Sequence, residues 1–298
     1  MEYREYPPHA ALRPFVLTYW SLSGCAQETV PQPVLPDGTT ELIVHRARPF
    51  VRYLAAGPAE RQASTLFVGP MLAPVVLLAD GAADVVAVRF RPNGAFALLA
   101  TPQHLLQDAI IDAAALELPW LRRTVQAAEG ASSAPAAIAH LEAGLVARVR
   151  RIGARTDTRV DAAIAMVDGA CGDCRVETVA RIAQTARRHL ERLFREQVGL
   201  TPKAYARVRR FQAVAARVTG DPSSRLADLS HDAGYFDQSH MIRDFLAFAG
   251  RTPEESRTRL GDLTRVMLSA TSVPASSAVA TDHKLGRRWP GGPSAGDH

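Results

Sequence analysis

The sequence predicts an α+β protein of two parts: a β-rich, sandwich- or barrel-like first domain with a helical connector, and an all-α second domain of two similar helix pairs joined by one helix. Three observations predict it. Residues 14 to about 91 are a run of short apolar segments separated by turn signals. After Arg91-Pro92-Asn93-Gly94 the texture changes to Ala/Leu-rich helical periodicity. Beyond residue 154 one pattern of apolar, glycine, threonine and proline positions occurs twice, displaced by 51 residues.

In the first part the segments PFVLTYWSLS, TTELIVH, STLFVG, PVVLLA and ADVVAVRF are rich in Val, Leu, Phe and Thr. Pro36-Asp37-Gly38, Gly57-Pro58 and Asp80-Gly81 punctuate them. Short β-favouring runs between turn residues read as strands of a sandwich or barrel. Helices are expected at Trp120–Ala128 and, after a small-residue stretch, at Pro135–Ile152. Together these give a domain over 1–153.

The second part, 154–260, carries the strongest signal. Val176 to Arg210 reads as a small helix, a tight turn and a strongly basic second helix, the sequence form of a helix-turn-helix reader of DNA. In that second helix Leu190, Leu193, Phe194 and Gln197 share one face at i, i+3, i+4, i+7, leaving Arg188, Glu191, Arg192 and Arg195 on the other. Arg187 to Arg210 holds eight basic residues against Glu191 and Glu196, a local charge of +6. Charge of that sign and density suits phosphate contact. Phe194, Gly199, Thr201 and Pro202 return as Phe245, Gly250, Thr252 and Pro253; His189, Leu190 and Arg192 return as His240, Met241 and Arg243. Each copy closes a helix at Gly and opens the next with a Thr cap and a Pro in the first turn. The helical pattern Pro202–Thr219 joins the copies; at 1.5 Å per residue it is about 27 Å long, of the order of the ~34 Å between successive major grooves on one side of B-DNA.

Residues RRHLERLFREQVGLTPKAYARVRRFQ and AGYFDQSHMIRDFLAFAGRTPEESR make 159–258 resemble the DNA-binding domain of the AraC/XylS family of bacterial transcription regulators. PVLPDGTTELIVH and VRFRPNGAFALLATP resemble a first-domain type that accompanies such readers. Gln184 stands where the family places a turn Gly, and Ala186 where it places a Ser cap. Thr185 is then the expected cap, with the helix starting one residue early. Ser230 replaces the small Ala of the second packing helix. The resemblance implies a sequence-specific regulator with double-stranded DNA as partner, together with RNA polymerase, a small-molecule effector and a second copy in a homodimer.

Arg188, Glu191 and Arg192 of the first reader, and Gln238, Ser239, His240 and Arg243 of the second, are the candidates to reach base edges. Arg can bridge guanine O6 and N7, Gln can bridge adenine N6 and N7, and Glu can accept from cytosine N4. Arg187, Arg195, Lys203, Arg207 and Arg209 are the candidates to hold phosphates. In the first domain Tyr19, Trp20, Glu41 and Arg89 lie on expected strands and could line a ligand pocket, with core packing as the alternative.

Composition sets the remaining bounds. With 298 residues, 47% apolar and 22% charged, the chain has the composition of an ordinary soluble protein, and its net charge is +5. MEYREYPPHA carries charges and prolines where a signal peptide needs an apolar core. Pro74, Asp80 and Asp84 interrupt the longest apolar stretch. The expectation is a cytoplasmic protein with no membrane partner. Three cysteines do not make a disulfide framework. Cys171 and Cys174 form an isolated CxxC pair, and His9, His45 and His104 are scattered, so no metal and no cofactor is expected. The chain has no GxSxG, no phosphate-binding glycine loop and no HExxH, which leaves as the enzyme alternatives a metal-dependent β-barrel or a DNA-repair alkyl transferase whose cysteine would be Cys25. An architectural DNA binder without a ligand is the third reading. From 261 to 298 the chain is rich in Ser, Ala, Pro and Gly and reads as a disordered tail.

Overall fold

The computed structural model describes residues 1–25, 30–54, 57–221, 223–258 and 264. Ten strands build its N-terminal region: β1 (Glu2–Tyr6), β2 (Val16–Cys25), β3 (Gln32–Val34), β4 (Glu41–His45), β5 (Val51–Tyr53), β6 (Glu60–Arg61), β7 (Thr65–Val68), β8 (Val75–Leu78), β9 (Ala82–Phe90) and β10 (Ile110–Asp112). They form a six-stranded sheet in the order β1-β2-β9-β4-β7-β10 and a four-stranded sheet in the order β3-β8-β5-β6, paired antiparallel throughout. The two sheets stack as a sandwich. Neither closes on itself, so the barrel alternative is set aside.

The large sheet is covered on both faces. Side chains alternate along a strand, so Trp20, Leu22, Val85 and Ala87 pack toward the small sheet with Phe50, Ile43 and Leu77. Tyr19, Leu42, Val44, Val86, Val88 and Phe90 pack the other way, onto helices α1 (Gly94–Leu99), α2 (Pro119–Glu129) and α3 (Ala134–Ile152). This double cover is why β9 is a nearly unbroken apolar run. It also separates Tyr19 from Trp20: the expected grouping of the two in one pocket is corrected, because neighbouring strand residues face opposite layers.

The C-terminal region is helical: α4 (Thr158–Gly169), α5 (Val176–Ile182), α6 (Arg187–Gln197), α7 (Pro202–Gly220), α8 (Leu226–Asp232), α9 (Gln238–Ala249) and α10 (Pro253–Thr258). One apolar cluster joins α4, α5 and α6 to the start of α7; a second joins the rest of α7 to α8 and α9. Phe194 meets Tyr205 edge-on at 6.1 Å, and its repeat counterpart Phe245 meets Phe211 at 5.0 Å. The long helix thus presents one aromatic to each unit. The expected tail lies outside the described residues except for Thr264, which is buried and donates to the Pro33 carbonyl. Among the described residues no helix is long and apolar enough to cross a membrane.

Candidate nucleic-acid interface

Helix α6 buries Leu190, Leu193, Phe194 and Gln197, the face its spacing predicts, and turns Arg188, Arg192 and Arg195 to solvent. Arg187 pairs with Glu177 at 2.6 Å and Glu191 at 2.9 Å, so Glu191 faces its neighbour's guanidinium. Arg192 reaches Glu196 at 3.5 Å and the His189 ring at 3.3 Å. In α9, Gln238, Ser239 and Arg243 are exposed, while His240 stands edge-on to Tyr235, ring centres 5.1 Å apart.

The turns explain how two different sequences make one shape. Gln184 has φ +50° and Gly234 has φ +70°; both occupy the left-handed position that lets the short helix turn into the reader. A non-glycine residue there carries strain, which the first unit accepts. Ala186, and not Thr185, holds the cap position of α6, and it gives no side-chain bond. Thr185 has its backbone N–H on the Ala180 carbonyl, so it belongs to the turn. The second reader is capped: the Asp237 carboxylate accepts from His240 N at 2.6 Å.

Between the units runs a cleft lined by Arg175, Arg187, Lys203, Arg207 and Arg210 on one side and His240 and Arg243 on the other, with Glu177 and Asp244 the acids in its wall. Arg207 is anchored there by the buried Asp244 carboxylate at 2.6 Å, tying α7 to α9. Arg209 is elsewhere. Its side chain is only 12% exposed and is held by Asp168 at 2.8 Å, beside Tyr205, whose hydroxyl also donates to Asp168. Arg175 and Arg210 were not foreseen as members of this basic surface; their charge was visible, their convergence was not.

The N-terminal region packs against the helical units at several points, two of which bear on this apparatus. Pro102 and His104 face Arg188, Glu191, Arg192, Arg195 and Glu196 across a second cleft, beside the polar face of α6. Residues 34–39 meet α7: Gln212 Nε2 donates to the Pro36 carbonyl, and a Cβ placed on Gly38 would stand 3.0 Å from the Tyr205 ring.

In the sandwich, Glu41 and Arg89 sit opposite each other in register and pair at 2.7 Å, with Trp20 Nε1 donating to the same carboxylate at 3.0 Å. All three line a cavity of about 100 Å³ between the sheets. Burial pushes the Glu41 carboxyl up against the opposing pull of Arg89. Tyr19 is in the helix-side core instead.

A short packing helix, a turn and a second helix with an exposed polar face, built twice about one connecting helix and strongly basic in the first copy, define a DNA-binding transcription regulator. Residues 179–259 match the family described as a helix-turn-helix domain, and this region is of the AraC type. Residues 4–112 match a family described as a domain of unknown function (DUF6597). No curated protein matches the chain. Among solved structures the chain is similar to ToxT of Vibrio cholerae. One ToxT structure aligns over 86% of this chain and 97% of its own at 9% identity and TM-score 0.42. ToxT from strain O395 aligns over 81% and 99% at 9% identity and 0.43, and the unsaturated-fatty-acid-bound form over 81% and 95% at 10% and 0.44.

Proposed function

We propose that the protein reads two successive major grooves of one DNA site, α6 in one and α9 in the next, under control of its β-rich region. The observation that carries this reading is the cleft between the units, where six arginine and lysine side chains meet two acids. A basic channel between two reading helices suits the phosphate backbone that separates two grooves. In this reading Arg188, Glu191, Arg192, Gln238, Ser239, His240 and Arg243 take the base edges. Arg187, Arg195, Lys203 and Arg207 take phosphates, joined by Arg175 and Arg210. Arg209, enclosed with Asp168, holds the first unit together and leaves the set. The chain divides near Gly153, the left-handed cap of α3. Control comes through the 34–39 loop, which is at once a wall of the inter-sheet cavity and the seat of α7.

Selection of bound sequences from a random DNA pool by the full chain, followed by Arg192→Ala and Arg243→Ala, tests the reading. Each substitution is expected to cost about 1–3 kcal/mol and to relax preference at one position, Arg192 in one half-site and Arg243 in the other. A uniform loss over both half-sites from either variant would overturn the assignment of separate grooves.

A further inference from the structure

The cavity between the sheets is more specific than an apolar hole. Glu41, Ile43 and His45 alternate along β4, so they line it in a row about 14 Å long at ~3.4 Å per residue. Val75, Leu77, Val85 and Phe50 supply apolar wall around the row. At one end stand Asp37, Glu41 and Arg89. Trp20 Nε1 and Arg89 Nε both donate to one oxygen of Glu41, Oε1. Asp37 behaves alike: Oδ1 takes the Thr39 N–H and hydroxyl, each at 2.8 Å, while Oδ2 stays 3.7 Å from Arg89 Nε, beyond hydrogen-bond length. Two carboxylate oxygens in one cavity wall therefore have acceptor capacity to fill. The Arg89 charge is already offset by Glu41 at 2.7 Å, Asp37 at 3.7 Å and Glu5 at 4.0 Å. Arg209, near enough to Asp37 to feel its charge, is itself held by Asp168, so the carboxylates around this end outnumber the guanidiniums and an entering anion is not favoured. At the other end His45 is 5% exposed, and neither ring nitrogen completes a hydrogen bond of good geometry, although the Gln62 side chain lies near enough to oppose in part the downward effect of burial on the imidazole.

We propose that this cavity binds a small organic amine, its ammonium on Asp37 and Glu41 and its compact apolar group against Ile43, Val85 and Phe50. The proposal rests on the regulatory reading above and names the ligand class for it. The size bounds the apolar group: about 100 Å³ is smaller than the ~150 Å³ cavity that holds one benzene ring, so the group enclosed is a short branched chain. An ammonium donates to two open acceptors in a charge-assisted bond and brings the charge of the polar end toward neutrality.

The experiment compares isobutylamine, isobutanol and isobutyrate, three probes of similar shape and different charge, by titration calorimetry and thermal unfolding on the full chain. Isobutylamine should bind at least tenfold tighter than isobutanol and raise Tm, and isobutyrate should do neither. Asp37→Asn should lose the tenfold preference and keep the isobutanol binding, which shows the cavity intact. Equal binding of amine and alcohol, or binding led by isobutyrate, overturns the amine assignment and leaves the cavity standing. Absence of binding by all three overturns both. An amine that binds and leaves DNA affinity unchanged upholds the ligand class and removes the regulatory reading.

Discussion

Gly199 and Gly250 occupy matching places in the two repeats and differ in what surrounds them. Both have positive φ, +84° and +67°, so an alanine at either pays roughly 1–2 kcal/mol for a left-handed backbone. A Cβ on Gly199 would also fall 2.6 Å from Pro70 Cγ and 2.8 Å from the Gln103 carbonyl, while on Gly250 its nearest contact is Pro74 at 3.8 Å. Gly199→Ala should therefore cost at least twice what Gly250→Ala costs in urea unfolding; equal losses would contradict the tight seat of α6 on the N-terminal region. His45 gives a second residue-scale outcome. Burial pushes its imidazole from an ordinary 6.5 down to about 4. Between those values the unfolded chain binds more protons than the folded one, so stability falls as pH falls through that window. About 2 kcal/mol should be lost between pH 7 and pH 5 on this account, and His45→Gln should flatten that part of the pH profile. An unchanged profile would contradict the buried neutral ring. The glycines were legible as helix ends from their spacing; the Pro70 ring and the Gln103 carbonyl that give Gly199 its consequence were not, because contact between residues so far apart in the chain leaves no local pattern.

At the scale of elements, the two readers differ at their caps. Asp237 satisfies a backbone N–H of α9, and Ala186 satisfies none of α6. Ala186→Ser should stabilise the protein by about 1 kcal/mol and Asp237→Ala should destabilise it by a similar amount, read by thermal unfolding. A neutral or harmful Ala186→Ser would mean that the backbone at 186 does not hold the extended cap geometry seen here, φ −67° and ψ 143°. The helices were the most legible elements. Apolar periodicity marks the buried face of α6, and the Thr-Pro pairs mark the starts of α7 and α10, as Thr201, accepting from Ala204 N, shows. The strands that declared themselves were the long ones with branched or aromatic residues. β1, with the polar sequence EYREY, and the two- and three-residue strands β3, β5, β6 and β10 did not, since what makes them strands is pairing to a distant neighbour. Gln184 shows the opposite failure: a residue ill suited to the turn takes its left-handed geometry because the packed helices on either side fix it there.

For the whole molecule, sequence spacing gave the repeat, the connecting helix and the reading faces, and packing between regions gave what spacing lacks: a cavity whose wall loop seats α7, and a 3₁₀ turn whose His104 faces the first reader. Arg207 pairs with Asp244 between α7 and α9, and both units pack on α7; in the proposed reading this holds the two readers at one separation. DNA binding should then depend on groove phase. The direct measurement is the affinity of the full chain for its selected site before and after five base pairs are inserted between the half-sites, which turns the second groove to the far side of the duplex. The account predicts a loss larger than that of Arg192→Ala or Arg243→Ala, with one chain bound per site; undiminished affinity after the insertion would contradict it.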